Sequence, residues 1–255
     1  MKENAVAVAD IGTSRYPDAP FSPSVRYPEY PYEDLSGEPN PVYAGVRECL
    51  MQLGLDQARA GRADWNPLGE LIQPGMRVLV KPNLLHATPP EKAITTHPAI
   101  VEAVVSLLLD AGARVTIGDS PGLTRAGKAA ERAGIADVAR RLGVPVVNFD
   151  QSVEVKAPDG FLFRKIEIAR QVLEADAVVN LPKFKTHGQM VLTLAVKNLF
   201  GCVVGHRKAQ WHMSAGRDHE TFARLLLELL QIVAPRFTLV DGIVGMDGNG
   251  PSAGR

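Results

Sequence analysis

Short apolar runs alternate along the chain with longer segments in which apolar residues recur at helical spacing. Each run is long enough for one buried strand, and helix-like segments separate most of them. Strands joined by helices in this way favour a parallel sheet covered on both faces. The strands expected are Val6–Ala9, Arg77–Val80, Arg114–Gly118, Val144–Phe149, Asp176–Leu181 and Phe237–Val240.

Turn and cap residues mark where the helices between these strands begin and end. Helices are predicted from Pro41 to about Gly61, from Pro98 to Gly112 and from about Ala126 to Leu142. A fourth begins after Asp218, its N-cap, and ends near Val233. Residues 153–155 and 161–168 flank the turn Pro158-Asp159-Gly160 and predict a hairpin. We therefore expect one α/β domain over residues 1–255, with a largely parallel central sheet, helices on both faces and one small β-hairpin.

The segment from residue 13 to residue 41 follows neither period. It contains seven prolines and four tyrosines. Proline removes backbone donors and favours extended conformations. This composition predicts an irregular arm that wraps the surface, with a lid or a dimer arm as alternatives.

Composition excludes several kinds of protein. The 28 basic and 28 acidic residues give a net charge of +0, so no overall field attracts nucleic acid or an anionic membrane. No apolar stretch is long enough for a signal peptide or a membrane span. The two cysteines, Cys49 and Cys202, indicate a reducing compartment, and we expect a cytoplasmic protein. Two thiols are too few for an iron–sulfur cluster held by this chain alone.

Polar residues follow each predicted strand, at the sheet edge where ligands of open α/β folds bind. The longest such stretch, Lys183 to His212, contains no Asp or Glu and forms a basic segment suited to a phosphate, a carboxylate or an electron-rich cofactor. A helix predicted over Gly188–Phe200 would add the amides of its N-terminus beside His187. A solvated basic face, or neutralisation by carboxylates of other loops, is the alternative.

Candidate roles follow from residue type. His187 is the acid–base candidate, since neighbouring lysines would keep it neutral, and Lys185 is assigned beside it as catalytic. Asp119 and Asp241 are candidates for a divalent metal such as Mg²⁺, with capping and turn formation as the alternative. Cys202, His206 and His212 are a weaker candidate for a softer metal. The residues assigned to an anionic ligand or cofactor are Lys81, Asn83, Lys183, Lys197, Asn198, Arg207, Lys208 and His212.

The segment from Gly122 to Lys128 has the spacing of a phosphate-binding P-loop. Ala129 stands where that motif needs a Ser or Thr hydroxyl to hold Mg²⁺. We interpret the spacing as coincidental.

An ordered set of short motifs resembles the family called domain of unknown function 362, over about residues 76–255. Its members often accompany ferredoxin-type iron–sulfur domains, which implies a redox role and such a protein as partner. This chain has no ferredoxin segment of its own. A more distant similarity is to lactate-racemase-like enzymes, which also carry lysine and histidine after their strands. The motifs are Val80–Leu84, Thr96–Pro98, Gly118–Pro121, Leu181–His187, Val196–Cys202, Arg207-Lys208, His212, Val240–Ile243 and Met246–Pro251.

Three functions remain open from the sequence. The first is a redox-linked or cofactor-dependent enzyme that binds an anionic substrate or cofactor. The second is a non-catalytic module that presents an anion or metal to an iron–sulfur protein. Binding of nucleic acid through the basic segment is the weakest, since the net charge is zero and no known motif is present.

Overall fold

A five-stranded parallel sheet forms the centre of the computed structural model. The structure describes residues 5–122, 124–215 and 218–254, except the side chains of His206, Ser214 and Ala215. The strands are β1 (Arg77–Pro82), β2 (Arg114–Asp119), β3 (Val146–Asn148), β4 (Ser152–Lys156), β5 (Lys165–Ala169), β6 (Ala177–Leu181), β7 (Lys183–His187), β8 (Val191–Thr193), β9 (Phe237–Thr238) and β10 (Asp241–Met246). The central sheet has the order β3-β2-β1-β6-β9, and every pairing in it is parallel.

Helices cover both faces of this sheet. They are α1 (Pro41–Gln52), α2 (Pro98–Asp110), α3 (Ala126–Arg132), α4 (Ile135–Arg141), α5 (Arg170–Glu174), α6 (Ala195–Asn198), α7 (Gly205–Ala215) and α8 (His219–Val233). Because side chains alternate along a strand, Val78 and Val80 of β1 pack with α1 to α4, whereas Leu79 packs with α8 on the opposite face. The α/β fold with a parallel sheet is confirmed. Among the described helices, none is long and apolar enough to cross a bilayer.

Helix ends depart from the predictions where the backbone adopts left-handed conformations. α1 ends at Gln52, because Gly54 (φ +71°) and Asp56 (φ 48°) turn the chain before Gly61. The helix predicted over 126–142 is two helices, separated at Gly134 with φ +74°. Asp218 is confirmed as the N-cap of α8, since its side chain accepts a hydrogen bond from the backbone N–H of Glu220.

The predicted hairpin is present as the antiparallel pair β4 and β5, although β5 begins at Lys165 rather than Phe161. The strand predicted at Val6–Ala9 is wrong. Val6 and Val8 are exposed, and the Val8 N–H bonds to the side chain of Gln52 rather than to a strand. Residues 13–40 contain no helix or strand, as expected of an irregular arm.

The largest difference concerns the basic segment, of which Lys183–His187 is a strand rather than a loop. β7 pairs in parallel with β10 and antiparallel with β8 to form a three-stranded sheet. The helix predicted over Gly188–Phe200 is wrong, because residues 191–193 pair with β7 and α6 spans only four residues. The helix N-terminus predicted at Gly188, beside His187, is therefore wrong as well.

Candidate functional site

A cavity of about 350 Å³ opens at the carboxyl ends of β1 and β2. The chain runs outward from β1 to β2 and β3, and then returns to β6 on the other side of β1. Such a reversal of strand order leaves a crevice at the carboxyl edge, which is where open α/β sheets bind ligands. The lining residues are Lys81, Asn83, Leu85, Asp119, Ser120, Gly122, Lys185, His187, Thr193, Lys197, Asn198, Phe200, Gly201, Gly205, Lys208, Ala209, His212 and Pro251.

A buried ion pair forms the floor of the cavity. The Nζ atom of Lys81 lies 2.9 Å from Oδ1 of Asp119, and both side chains are almost fully buried. Asp119 also accepts hydrogen bonds from the backbone N–H groups of Leu84 and Ser120. Burial alone would raise the pKa of Asp119, but the charges of Lys81 and Lys208 hold it below its usual value. Asp119 is therefore a carboxylate that the protein itself neutralises.

Three asparagines connect the strand ends in one hydrogen-bonded network. The Asn83 side-chain N–H₂ donates to Oδ1 of Asn198 over 3.0 Å, and the Asn198 side-chain N–H₂ donates to Oδ1 of Asn180 over 2.9 Å. Lys185 joins this network by donating to Oδ1 of Asn83 over 3.2 Å. Because buried amides need partners on every side, the network fixes the direction of each side chain.

Two lysines that form no salt bridge among the described residues line the same cavity. Lys208 donates to the carbonyl oxygen of Ser120, and the Lys197 ammonium lies 4.8 Å from the centre of the Phe200 ring. Neither forms a salt bridge within the described part of the chain. Burial and repulsion by nearby lysines lower the pKa of Lys197 to about 8; burial lowers the pKa of Lys208 to about 8. An anion would relieve this repulsion, since it compensates both charges.

Lys185 is the most perturbed of these amines. It is buried on β7 and donates to Asn83 and to the carbonyl oxygen of Ile94, 2.6 Å away. Burial, followed by the charge of Lys197, lowers the pKa of Lys185 to about 7. A substantial fraction of this amine is consequently neutral at neutral pH.

Two histidines complete the wall. Nδ1 of His187 accepts from the backbone N–H of Gln189 (3.1 Å) and of Met190 (3.3 Å), so the neutral ring carries its proton on Nε2. Burial, then the charge of Lys197, lowers the pKa of His187 to about 4. Burial also lowers the pKa of His212, whose ring stacks against Phe222. His187 is thus a neutral ring with a hydrogen-bond donor at Nε2, and its acid–base role stays a prediction.

A buried threonine also lines the cavity. Thr193 is buried, and its Oγ1 has no hydrogen-bond partner within the described residues. It lies directly opposite Lys185 across the β7–β8 pair. Buried hydroxyls are normally hydrogen-bonded, so Thr193 is a candidate contact for a ligand of this cavity.

The predicted residues Lys183 and Asp241 lie together, but outside the lining of this cavity. Lys183 Nζ is 3.1 Å from Oδ2 of Asp241, and both side chains are fully buried. Asp241 also accepts from the backbone N–H of His97 and from the hydroxyl of Tyr16, an arm residue. Protein donors thus occupy both carboxylate oxygens, which corrects the predicted ligand and cation roles of this pair.

The remaining residues that were predicted to bind an anion or a metal either do not line the cavity or lie outside the described residues. Arg207 forms a salt bridge with Glu167 over 2.6 Å and does not line the cavity. Within the described residues, no group of three His, Cys, Asp or Glu side chains is arranged to hold a metal, so the predicted metal sites have no support. The side chain of His206, and Leu123 within the P-loop-like segment, lie outside the described residues.

The structure adds Ser120, Thr193, Phe200 and Gly201 to the residues named from sequence. A side chain at Gly201 would clash with Asp119 and Lys81, so the floor of the cavity requires glycine there. Phe200 and Gly201 could have been found from the sequence, because they lie in one of the motifs that carry the family resemblance. No such signal pointed to Thr193, because its segment was interpreted as a helix.

Comparisons with known proteins agree with this architecture. The chain is 41% identical over 187 residues to the thylakoid-associated protein sll1697 of a Synechocystis strain; the match covers 73% of this chain and 58% of that protein's length. It also resembles the lactate racemase apoprotein of Thermoanaerobacterium thermosaccharolyticum, with a TM-score of 0.53 and 12% identity, over 71% of this chain and 45% of the other. At that identity the likeness concerns the fold. Residues 78–255 match the model of the domain of unknown function named DUF362, and the chain therefore belongs to that family.

Proposed function

We propose that the protein is an enzyme that binds a small anionic molecule in the lysine-lined cavity and uses the amine of Lys185 as its reactive group. The observation that carries the proposal is the set of three lysines, Lys185, Lys197 and Lys208, that line one cavity and form no salt bridge within the described part of the chain. Among the described residues, four lysines and one carboxylate line this cavity, in a chain of zero net charge. An anion is the ligand that this imbalance favours.

The volume suits a small ligand. Pockets for small molecules begin at roughly 300 Å³, so this cavity has room for a short carboxylate or a phosphate but not for a large dinucleotide. Lys197 and Lys208 would hold the anionic group, and the Nε2–H of His187 would donate to a second oxygen. The amine of Lys185 then lies beside the rest of the molecule, where its lone pair can accept a proton or attack carbon.

Binding can be tested by calorimetric titration at pH 7 with pyruvate, lactate and inorganic phosphate. We expect at least one of these anions to bind, and the double variant Lys197→Met/Lys208→Met to bind it at least about tenfold more weakly, because two charge-assisted contacts are lost. The exposed pair Lys156→Met/Lys165→Met is the matched control and should bind normally. Failure of all three anions to bind at millimolar concentration would refute the proposal.

Turnover separates an enzyme from a carrier. Proton NMR of the bound molecule in D₂O should show loss of a C–H signal or conversion when wild-type protein is present. Binding without any chemical change would favour the second function, a non-catalytic module that presents an anion to an iron–sulfur partner. The redox link, the ferredoxin-type partner and the cytoplasmic location stay predictions.

A further inference from the structure

Lys185 differs from the two other lysines that are buried to the same extent. Among the described residues, Lys81, Lys183 and Lys185 are all at most 1% exposed. Lys81 lies 2.9 Å from Asp119 and Lys183 lies 3.1 Å from Asp241, so each has a carboxylate to balance its charge. Lys185 has only the neutral oxygens of Asn83 and Ile94. An ammonium without a counter-charge is expensive to bury, so this environment selects the neutral amine.

The hydrogen bonds of Lys185 also direct its lone pair. A neutral amine has two N–H bonds, and the two acceptor oxygens use both. The remaining tetrahedral position on Nζ carries the lone pair, and Lys185 lines the cavity. The amine is therefore held as a nucleophile rather than as a cation that binds an anion.

Two polar residues next to Lys185 in this small sheet, Thr193 and His187, also line the cavity. Thr193 is the direct cross-strand neighbour of Lys185, and such neighbours have Cβ atoms about 5 Å apart. In this proposal its unpartnered hydroxyl donates to the substrate oxygen. His187 is two residues along β7 on the same face, and its Nε2–H is available because backbone N–H groups occupy Nδ1.

We infer that Lys185 forms an imine with the carbonyl carbon of a small oxo acid, a compound that carries both a carboxylate and a carbonyl group. This inference rests on the proposed function and names its substrate class. In this proposal the carboxylate lies at Lys197 and Lys208 and the adjacent carbonyl lies at Lys185, since all three line one cavity. Phosphate and simple hydroxy acids fill the same anion position but lack the carbonyl.

The bond changes balance without a further reactant. The lone pair of Nζ attacks the carbonyl carbon, and the π electrons move to the carbonyl oxygen. A proton passes from nitrogen to that oxygen and gives a carbinolamine, near the Thr193 hydroxyl and the His187 Nε2–H. The hydroxyl group then leaves as water together with the second proton of the same nitrogen, and the C=N bond forms.

Reductive trapping tests the inference. The protein is incubated with pyruvate and sodium cyanoborohydride at pH 7, and the adduct is located by peptide mass spectrometry. We expect one reduced pyruvyl group per chain, on Lys185. The trapping rate should rise with pH through about 7, as Lys185 loses its proton, and fall above about 8, as Lys197 and Lys208 lose theirs.

Variants keep the result interpretable. Lys185→Met should abolish the adduct, whereas Lys165→Met, at an exposed lysine of β5, should leave it unchanged. If Lys185→Met does not fold, the position of the adduct in the peptide map of the wild-type protein is by itself the test. An adduct that is absent from Lys185, or spread over exposed lysines, would overturn the inference.

The two proposals fail differently. If pyruvate and phosphate both bind in the calorimeter but no adduct forms, the anion site stands and the imine is wrong. If pyruvate, lactate and phosphate all fail to bind, the proposed function is wrong, and the imine fails with it.

Discussion

Gly201 shows how one residue type can be required by a buried charge pair. Its Cα hydrogens face the Lys81–Asp119 contact, and a methyl group in their place would clash with both side chains. Since neither partner can leave without exposing the other as an unpaired charge, the surroundings have little freedom to adjust. The short Leu199–Cys202 turn and the ends of β1 and β2 are thus coupled through a single position.

We expect Gly201→Ala to lower the free energy of unfolding by about 1–3 kcal/mol, the usual cost of overpacking a close contact. Urea denaturation followed by circular dichroism measures this. Gly127→Ala is the control, because the new methyl group meets nothing within 4 Å and α3 gains helix propensity, worth about 0.5–1 kcal/mol. An unchanged stability of Gly201→Ala would show that the ion pair is not packed as described.

The N-terminal arm is fastened to the sheet by Tyr16. Its hydroxyl donates to Asp241 and accepts from Lys183, and its ring stacks on His97 with the centres 3.8 Å apart. We expect Tyr16→Phe to keep the stacking, lose the bridge and cost about 1–2 kcal/mol, since the buried pair loses a polar partner.

Hydrogen exchange of residues 5–40 should reveal the loosened arm in that variant. Tyr27→Phe, whose ring packs against Tyr43, is the control and should exchange like the wild type. Equal exchange in wild type and Tyr16→Phe would mean that other contacts, such as those of Asn40 with Phe21 and Ser22, hold the arm.

Local pattern was sufficient for the central sheet but not for the sheet that carries Lys185. Runs such as Val78–Val80 and Ala177–Val179 are apolar throughout, as a strand covered on both faces must be, and they form the buried parts of β1 and β6. Residues 183–193 carry polar and apolar side chains in a mixed order. Their strand structure depends on pairing with Asp241–Met246, about fifty residues away, which no local period reveals.

The candidate site was also predicted only in part. Strand-end polar residues were correctly brought to one edge, because parallel strands end at the same side of a sheet. The separation of Lys183, Asp241 and Arg207 from the cavity could not be predicted, since it depends on partners such as Tyr16 and Glu167 that are distant in sequence.

The whole molecule should become more stable as pH rises through the range in which the cavity lysines lose protons. The folded-state pKa of Lys185 is about 7, below its ordinary value near 10.5, so the unfolded chain binds more protons between these limits. Its contribution to stability therefore increases with pH across that window, by up to about 1.4 kcal/mol per pH unit.

Urea denaturation at several pH values between 7 and 9.5 measures this slope. In Lys185→Met the unfolding free energy should rise less steeply with pH, by the equivalent of about one proton taken up on unfolding. Lys165→Met should match the wild type. Identical slopes in wild type and Lys185→Met would show that Lys185 is protonated in the folded protein at these pH values.

The central claim is that the lysine-lined cavity holds a small anion, and a crystal structure with saturating pyruvate tests it most directly. We expect the carboxylate within hydrogen-bond distance of Lys197 and Lys208, with the carbonyl carbon at Lys185 Nζ. Pyruvate bound elsewhere, with none of its atoms near these three lysines, would contradict the account.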